Sequence, residues 1–223
     1  MKTRFDKKGV TLIELLVALV ISGIIIAAIY RMFVAQTRAY TVQDQVSDVQ
    51  QNVRNAMERI ARDLMMAGFD DDNRNASGVD IPLPAVIEVF PTDAKGFDSV
   101  RVYYETNFTV REVRYWVNAS NQLVRTQNPA DPGSEAGGDP ILDNVTRFSL
   151  AYGVDYDPVL LVSYDDRRLH GWVGFADTAG RHIVAVRVQL RAGPASANPD
   201  VNTQVSPRGF DTVVTLRNQL TSK

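Results

Sequence analysis

The sequence predicts an α+β fold, a long N-terminal helix packed on an antiparallel β-sheet, and three observations predict it. Residues 10–29 are an almost unbroken apolar run. Apolar side chains then recur at steps of three and four, at Val46, Val49, Val53, Ala56, Ile60 and Leu64, which puts one stripe on one face of a helix. From about residue 86 onward the period drops to two, the signature of strands.

The run at 10–29 has roughly the ~20 residues a helix needs to cross a hydrocarbon core. Lys2, Arg4, Lys7 and Lys8 precede it, and Glu14 is its only charge. Between 10 and 67 there is no proline and a single glycine, Gly23, so one continuous helix of nearly sixty residues is expected, with Gly68 as its C-terminal cap. Arg54–Glu58, Glu58–Arg62 and Arg59–Asp63 are spaced i,i+4 and are expected to support a solvated face. The stripe spans only three to four heptads and a sheet follows it, so packing on the chain's own sheet is expected rather than a coiled coil.

Strands are predicted at 86–90, 99–104, 111–117, 122–127, 145–152, 159–163, 183–191 and 210–216. Alternation is cleanest late in the chain. Val184, Val186, Val188 and Leu190 point one way and Ala185, Arg187 and Gln189 the other; Phe148, Leu150, Tyr152 and Phe210, Thr212, Val214, Leu216 repeat the pattern. Such alternation with short connections implies an antiparallel sheet with one covered face, the cover being the helix stripe. Residues 118–121 read as a hairpin loop, and the Pro/Gly-rich stretches 128–140 and 192–209 as long surface loops. The chain thus divides into a leader (1–9), an apolar half-helix (10–29), an amphipathic half-helix (30–68) and a β-rich domain (69–223).

A carboxylate inside an apolar segment costs at least a few kcal/mol and marks function by default. A removable signal peptide does not account for it, since the run is long and no A-x-A-like site follows. A plain anchor with its basic end in the cytoplasm accommodates the run but leaves Glu14 unexplained. The order basic leader, Gly9, one hydrophobic residue, Thr-Leu-Ile-Glu-Leu and apolar run resembles the type III leader of type IV prepilins and pseudopilins. That resemblance implies cleavage after Gly9 by a membrane prepilin peptidase and N-methylation of Val10, where phenylalanine is commoner in the family. It also implies an assembly role for Glu14 among the packing residues Leu12, Ile13, Leu15 and Leu16. The amine created at Val10, its own or a neighbouring subunit's, would give Glu14 an opposite charge that offsets desolvation and fixes register.

Residues 58–69, with Arg-Asp-Leu then Met-Ala-Gly-Phe, and residues 210–218, ending in Leu-Arg-Asn, are similar to PilW-type minor pilins. The resemblance implies a type IV pilus subunit acting in filament initiation, with minor and major pilins, the peptidase, the assembly platform and the inner membrane as partners. It implies a single span with a cytoplasmic N-terminus, and later a periplasmic or filament location. A J-type pseudopilin of type II secretion shares leader, helix and fold. A bitopic membrane-anchored periplasmic binding protein, its leader retained, is the reading from another class.

Composition excludes several chemistries. The chain has no cysteine, hence no disulfide, thiolate metal site or cysteine nucleophile. Net charge is −2; removing residues 1–9 takes Lys+Arg from 24 to 20 and Asp+Glu from 26 to 25, giving −5 and no basic signal for nucleic acid. His170 and His182 lack a second histidine at ligand spacing, and Ser163, Asp165 and His170 lack a nucleophile elbow. The acids Asp70, Asp71 and Asp72 lack the spacing of a calcium loop. No enzyme, cofactor or metal is expected. Trp116 and Trp172 suit a buried core or a partner surface.

Overall fold

The computed structural model describes residues 9–69, 86–107, 109–128, 138–155, 171–178, 182–194 and 205–216. Helix α1 spans Leu12–Met66, 55 residues, inside the predicted range. It stops at Gly68, whose φ of +71° is open to glycine and strained for other residues. There the Gly68 amide donates to the Tyr103 carbonyl (2.8 Å) and the Phe69 carbonyl accepts from the Glu105 amide (2.7 Å), so the chain leaves the helix already hydrogen-bonded to a strand.

Two compact units divide the chain at residue 44, inside α1: Met1–Asp44 and Gln45–Lys223. In the first, the apolar side chains are uncovered. Val10, Leu12, Ile13 and Leu15 are all more than 60% exposed, and the helix is long and apolar enough to cross a membrane. The hydroxyls here are bonded back to the helix, Ser22 to the Ala18 carbonyl (2.7 Å), Thr37 to Phe33 and Thr41 to Thr37, as an apolar setting demands.

Among the described residues the second unit carries nine strands in two antiparallel sheets. The first sheet is a meander in chain order: β1 (Ile87–Phe90), β2 (Ser99–Thr106), β3 (Thr109–Val117), β4 (Leu123–Gln127) and β5 (Asp139–Leu142). The second runs β7-β6-β8-β9, from β6 (Val145–Asp155), β7 (Gly171–Val173), β8 (His182–Ala192) and β9 (Arg208–Thr215). The α+β expectation stands, a helix with antiparallel sheet, but one sheet becomes two. Alternation fixes which face of a strand is covered and says nothing about its neighbours. Strand β5 falls at the end of an expected loop because it is short and contains Pro140, which an edge strand tolerates. Strand β7 has three residues, too few to show a period. The strand expected at 159–163 lies outside the described residues, as do Asp70–Asp72, Ser163, Asp165 and His170.

Both sheets cover the predicted stripe from Val49 onward, while Val46, its first member, is only half-buried. Val49, Val53, Ala56, Ile60 and Leu64 are buried in one core with Val100, Val102, Val113 and Tyr115 of the first sheet and Phe148, Leu150, Tyr152, Val186, Val188 and Leu190 of the second. The turn at 118–121 is a hairpin: Asn121 takes φ +57°, and the Asn118 side chain accepts the amides of Ser120 and Gln122.

One expectation on the helix surface fails. Asp63 does not join a solvated ladder with Arg59; it is buried against the first sheet. Its Oδ2 accepts Nε–H of Arg125 (2.8 Å) and the phenol of Tyr115, a fully buried residue. Position 63 lies three residues beyond Ile60 and one before Leu64, at the edge of the stripe, and the spacing could not separate rim from core. Burial, then the adjacent Asp63 charge, pushes the Tyr115 phenol well above the ordinary range. Burial works against the Arg125 charge, and the Asp63 bond more than offsets it, holding the guanidinium protonated. A second tie joins the sheets: Asp98 accepts the Leu150 amide (2.7 Å) and the Thr92 hydroxyl (2.6 Å) while its own amide donates to Phe148 (3.0 Å).

Candidate functional site

The sequence places its chemistry at residues 9–16, and the structure gives that stretch a definite geometry. Gly9 and Val10 lie outside the helix, exposed on a non-helical backbone. Thr11 is the N-cap and Leu12 the first helical residue, which puts Glu14 at the third helical position, N3. The Glu14 Oε2 accepts both the Thr11 backbone N–H (3.0 Å) and the Thr11 hydroxyl (3.0 Å), and the Glu14 amide donates to Thr11 Oγ1 (3.4 Å). This reciprocal arrangement is a capping box. It gives partners to two amides that would otherwise lack one at a helix start, and sets the carboxylate near the positive end of the helix dipole.

The T-x-x-E spacing of Thr11 and Glu14 was present in the sequence as a capping signal. Reading Glu14 for its charge alone missed Thr11, which belongs to the same unit. Leu12, Ile13, Leu15 and Leu16 surround the carboxylate with exposed apolar surface. One oxygen of Glu14, Oε2, takes both bonds from Thr11, so among the described residues its other oxygen is open to a further donor. What the arrangement can do chemically is accept hydrogen bonds and pair with a cation. It contains no nucleophile–base pair.

Elsewhere the residues singled out by sequence do not converge. Among the described residues no group of three or more His, Asp or Glu side chains is placed to hold a metal. Trp116 is half-buried and directs its indole N–H toward Thr126 Oγ1 (3.4 Å). Trp172 is half-buried on the outer side of the second sheet, with the Arg187 guanidinium 4.3 Å from its ring centroid.

Compared with known proteins, residues 4–30 match the family model of the prokaryotic N-terminal methylation motif. No curated protein and no solved structure matches the chain. The match takes in residues 4–9, the peptide bond between Gly9 and Val10, the capping box and the apolar run. Together with the α+β architecture behind it, the match supports a protein of the type IV pilin or pseudopilin type.

Proposed function

We propose that this chain is a structural minor pilin of a type IV pilus, of the PilW type, acting in filament initiation and assembly. A prepilin peptidase removes residues 1–9, Val10 is N-methylated, and the subunit waits in the bacterial inner membrane with residues 10–29 as its single span and the end bearing Val10 on the cytoplasmic side. The assembly platform then extracts it into a filament, where it meets other minor and major pilins.

The observation that carries this reading is the conjunction at the start of α1. Within residues 4–30, which match the methylation motif, Gly9 and Val10 lie on exposed non-helical backbone and Glu14 sits on the first helical turn just beyond them, the arrangement a cleavable junction would need. Docking follows from the physics of that turn. Leu12, Ile13, Leu15 and Leu16 exchange lipid for neighbouring helices at little cost, while Glu14 finds the ammonium of a neighbour's Val10. Buried ion pairs specify register better than they add stability, and a filament subunit must dock at one height.

The test is the N-terminal peptide mass of the protein isolated from its own membranes, alongside filament recovery of Glu14→Ala. A peptide beginning at N-methylated Val10, with Glu14→Ala folded yet excluded from sheared filaments, is the expected result. A peptide beginning at Met1 in cells with active peptidase, or normal filament entry of Glu14→Ala, refutes the reading.

A further inference from the structure

The outer face of the second sheet, the side away from Val186, Val188 and Leu190, collects arginines from two strands. Register pairs Arg147 of β6 directly with Arg191 of β8, and both are exposed. Like charges opposite one another across a ladder destabilise a sheet. Among the described residues neither arginine has an ion-pair partner that would relieve this.

The setting shows how the pair is held. The stem of Arg191 lies over Gly209 of β9, where a Cβ would stand only 2.4 Å from Arg191 Cγ. Arg187, four residues back along β8, is stacked on Trp172. Around them the floor is flat and small: Ser149, Ala151 and Gly153. Among the described residues the carboxylate on this face is Asp211, which accepts from Gln189 Nε2 (3.2 Å). Setting aside Arg147, Arg187, Arg191 and Asp211, the rest of the chain after residue 9 carries −7. The complementary charge is therefore on the same molecule.

A cavity of about 410 Å³ in the same unit concentrates part of it. Asp48 and Asn52 of α1 line it together with Gln122, Asp143 and Asn144, no lysine or arginine lines it, and Asp143 accepts one bond there, from Gln122 Nε2 (2.7 Å). Asp48 and Asp143 are exposed. This is an acceptor-rich notch suited to guanidinium donors, which bond carboxylates through paired N–H groups.

We propose that the Arg147–Arg191 pair of one copy docks into the Asp48/Asp143 notch of a second copy of this chain. Each patch relieves the like-charge repulsion of the other, and the contact is independent of whether residues 1–9 are removed. It therefore stands or falls apart from the filament reading.

The test is charge exchange on the full-length chain in non-ionic detergent, followed by sedimentation velocity from about 1 to about 100 µM, the range in which a contact of this kind is measurable. Wild type is expected to associate at low salt and to dissociate as salt screens the contact. Arg147→Glu/Arg191→Glu and Asp48→Arg/Asp143→Arg, each alone, are expected to weaken association by at least ~10-fold, since like charges then face each other. Mixing the two variants restores association, because the acidic notch of the first still accepts the arginines of the second. Near-UV circular dichroism checks that both variants keep the native core. A wild type that is monomeric throughout, variants that associate as wild type does, or a mixture that stays monomeric each overturns the proposal.

Discussion

Replacing Asp63 by alanine probes the joint between helix and first sheet. The carboxylate is the shared acceptor of Arg125 Nε and the Tyr115 phenol, and the side chains of Asp63 and Arg125 are each only 11% exposed. Without it, Tyr115, fully buried, keeps a phenol with no described acceptor, a loss of about 1–3 kcal/mol. Arg125 retains its bond from Nη1 to Gln127 Oε1 (3.1 Å) but loses its counter-charge. Breaking a buried pair from one side costs about 3–5 kcal/mol, and that range includes the tyrosine term. For a unit of this size, each kcal/mol moves the melting midpoint by about 2–4 °C, so Asp63→Ala is expected to melt roughly 10 °C lower. The assay is urea and thermal unfolding of the full-length chain in detergent, followed by near-UV circular dichroism of Trp116 and Trp172. A double-mutant cycle with Arg125→Ala should return a coupling of about 1.5–3 kcal/mol. A cost below about 0.5 kcal/mol, the size of an exposed i,i+4 pair, would put Asp63 back on the solvated face and refute the buried joint.

Other perturbations follow from the same geometry. Tyr115 and Tyr152 are buried with phenols raised above their ordinary value, by desolvation first and by Asp63 and Asp98 respectively. Their folded forms stay protonated after the unfolded chain has ionised, so their contribution is complete below about pH 10. Above that pH it falls by about 1.4 kcal/mol per pH unit for each tyrosine until the folded phenol titrates. Alkaline unfolding of Tyr115→Phe should show a shallower slope than wild type, and an identical slope contradicts this. Asp98→Ala leaves the Leu150 amide without its acceptor and cuts the tie between the sheets; about 2 kcal/mol should be lost in urea unfolding with the slope unchanged. Thr11→Val keeps the shape of the N-cap and removes its hydroxyl, and amide exchange at Glu14 and Leu15 should quicken about fivefold, equivalent to ~1 kcal/mol, while Thr11→Ser stays near wild type.

Much of this molecule was legible in the sequence because the determinants were local. The helix could be read from an absence of breakers and a stripe, and its end from one glycine. Strands β6 and β8 could be read because Phe148, Leu150, Tyr152 and Val184, Val186, Val188, Leu190 alternate against polar partners. What could not be read is how separated segments meet. Asp63 meets Tyr115 and Arg125 across more than fifty residues, and each is unremarkable alone. Arg147 and Arg191 are 44 positions apart, and only the register of β6 with β8 makes them neighbours. A chain with net negative charge thereby carries a basic face that composition averages away. At the candidate site residues 9–14 are contiguous and could be read together as one motif, but the helix begins at Leu12 and not at Val10, and the bond between Glu14 and its cap Thr11 went unread.

The two ends of α1 separate two energetic problems. Between residues 12 and 29, twelve leucine, isoleucine and valine side chains are more than half exposed on the helix. Full burial of such a side chain is worth about 1.5–3 kcal/mol, so covering the exposed parts amounts to roughly 10–20 kcal/mol. That term holds this segment in apolar surroundings and is nearly the same for lipid and for neighbouring helices, since lipid tails are as apolar as leucine. It cannot choose between them. On the proposed filament reading Glu14 does, because its desolvation cost of at least a few kcal/mol depends on what donors its surroundings supply. Thr11 and the helix start meet part of that cost wherever the segment lies. The remainder is recovered only where a cation reaches the carboxylate, which a hydrocarbon core does not offer and a packed helix bearing an N-terminal amine does. Lysine at position 14 should reverse the preference. Glu14→Lys retains the apolar term and loses the N3 acceptor, so it is expected to remain in the membrane fraction and be absent from filaments. Recovery of Glu14→Lys in filaments at wild-type levels would show that apolar packing alone selects the docked state.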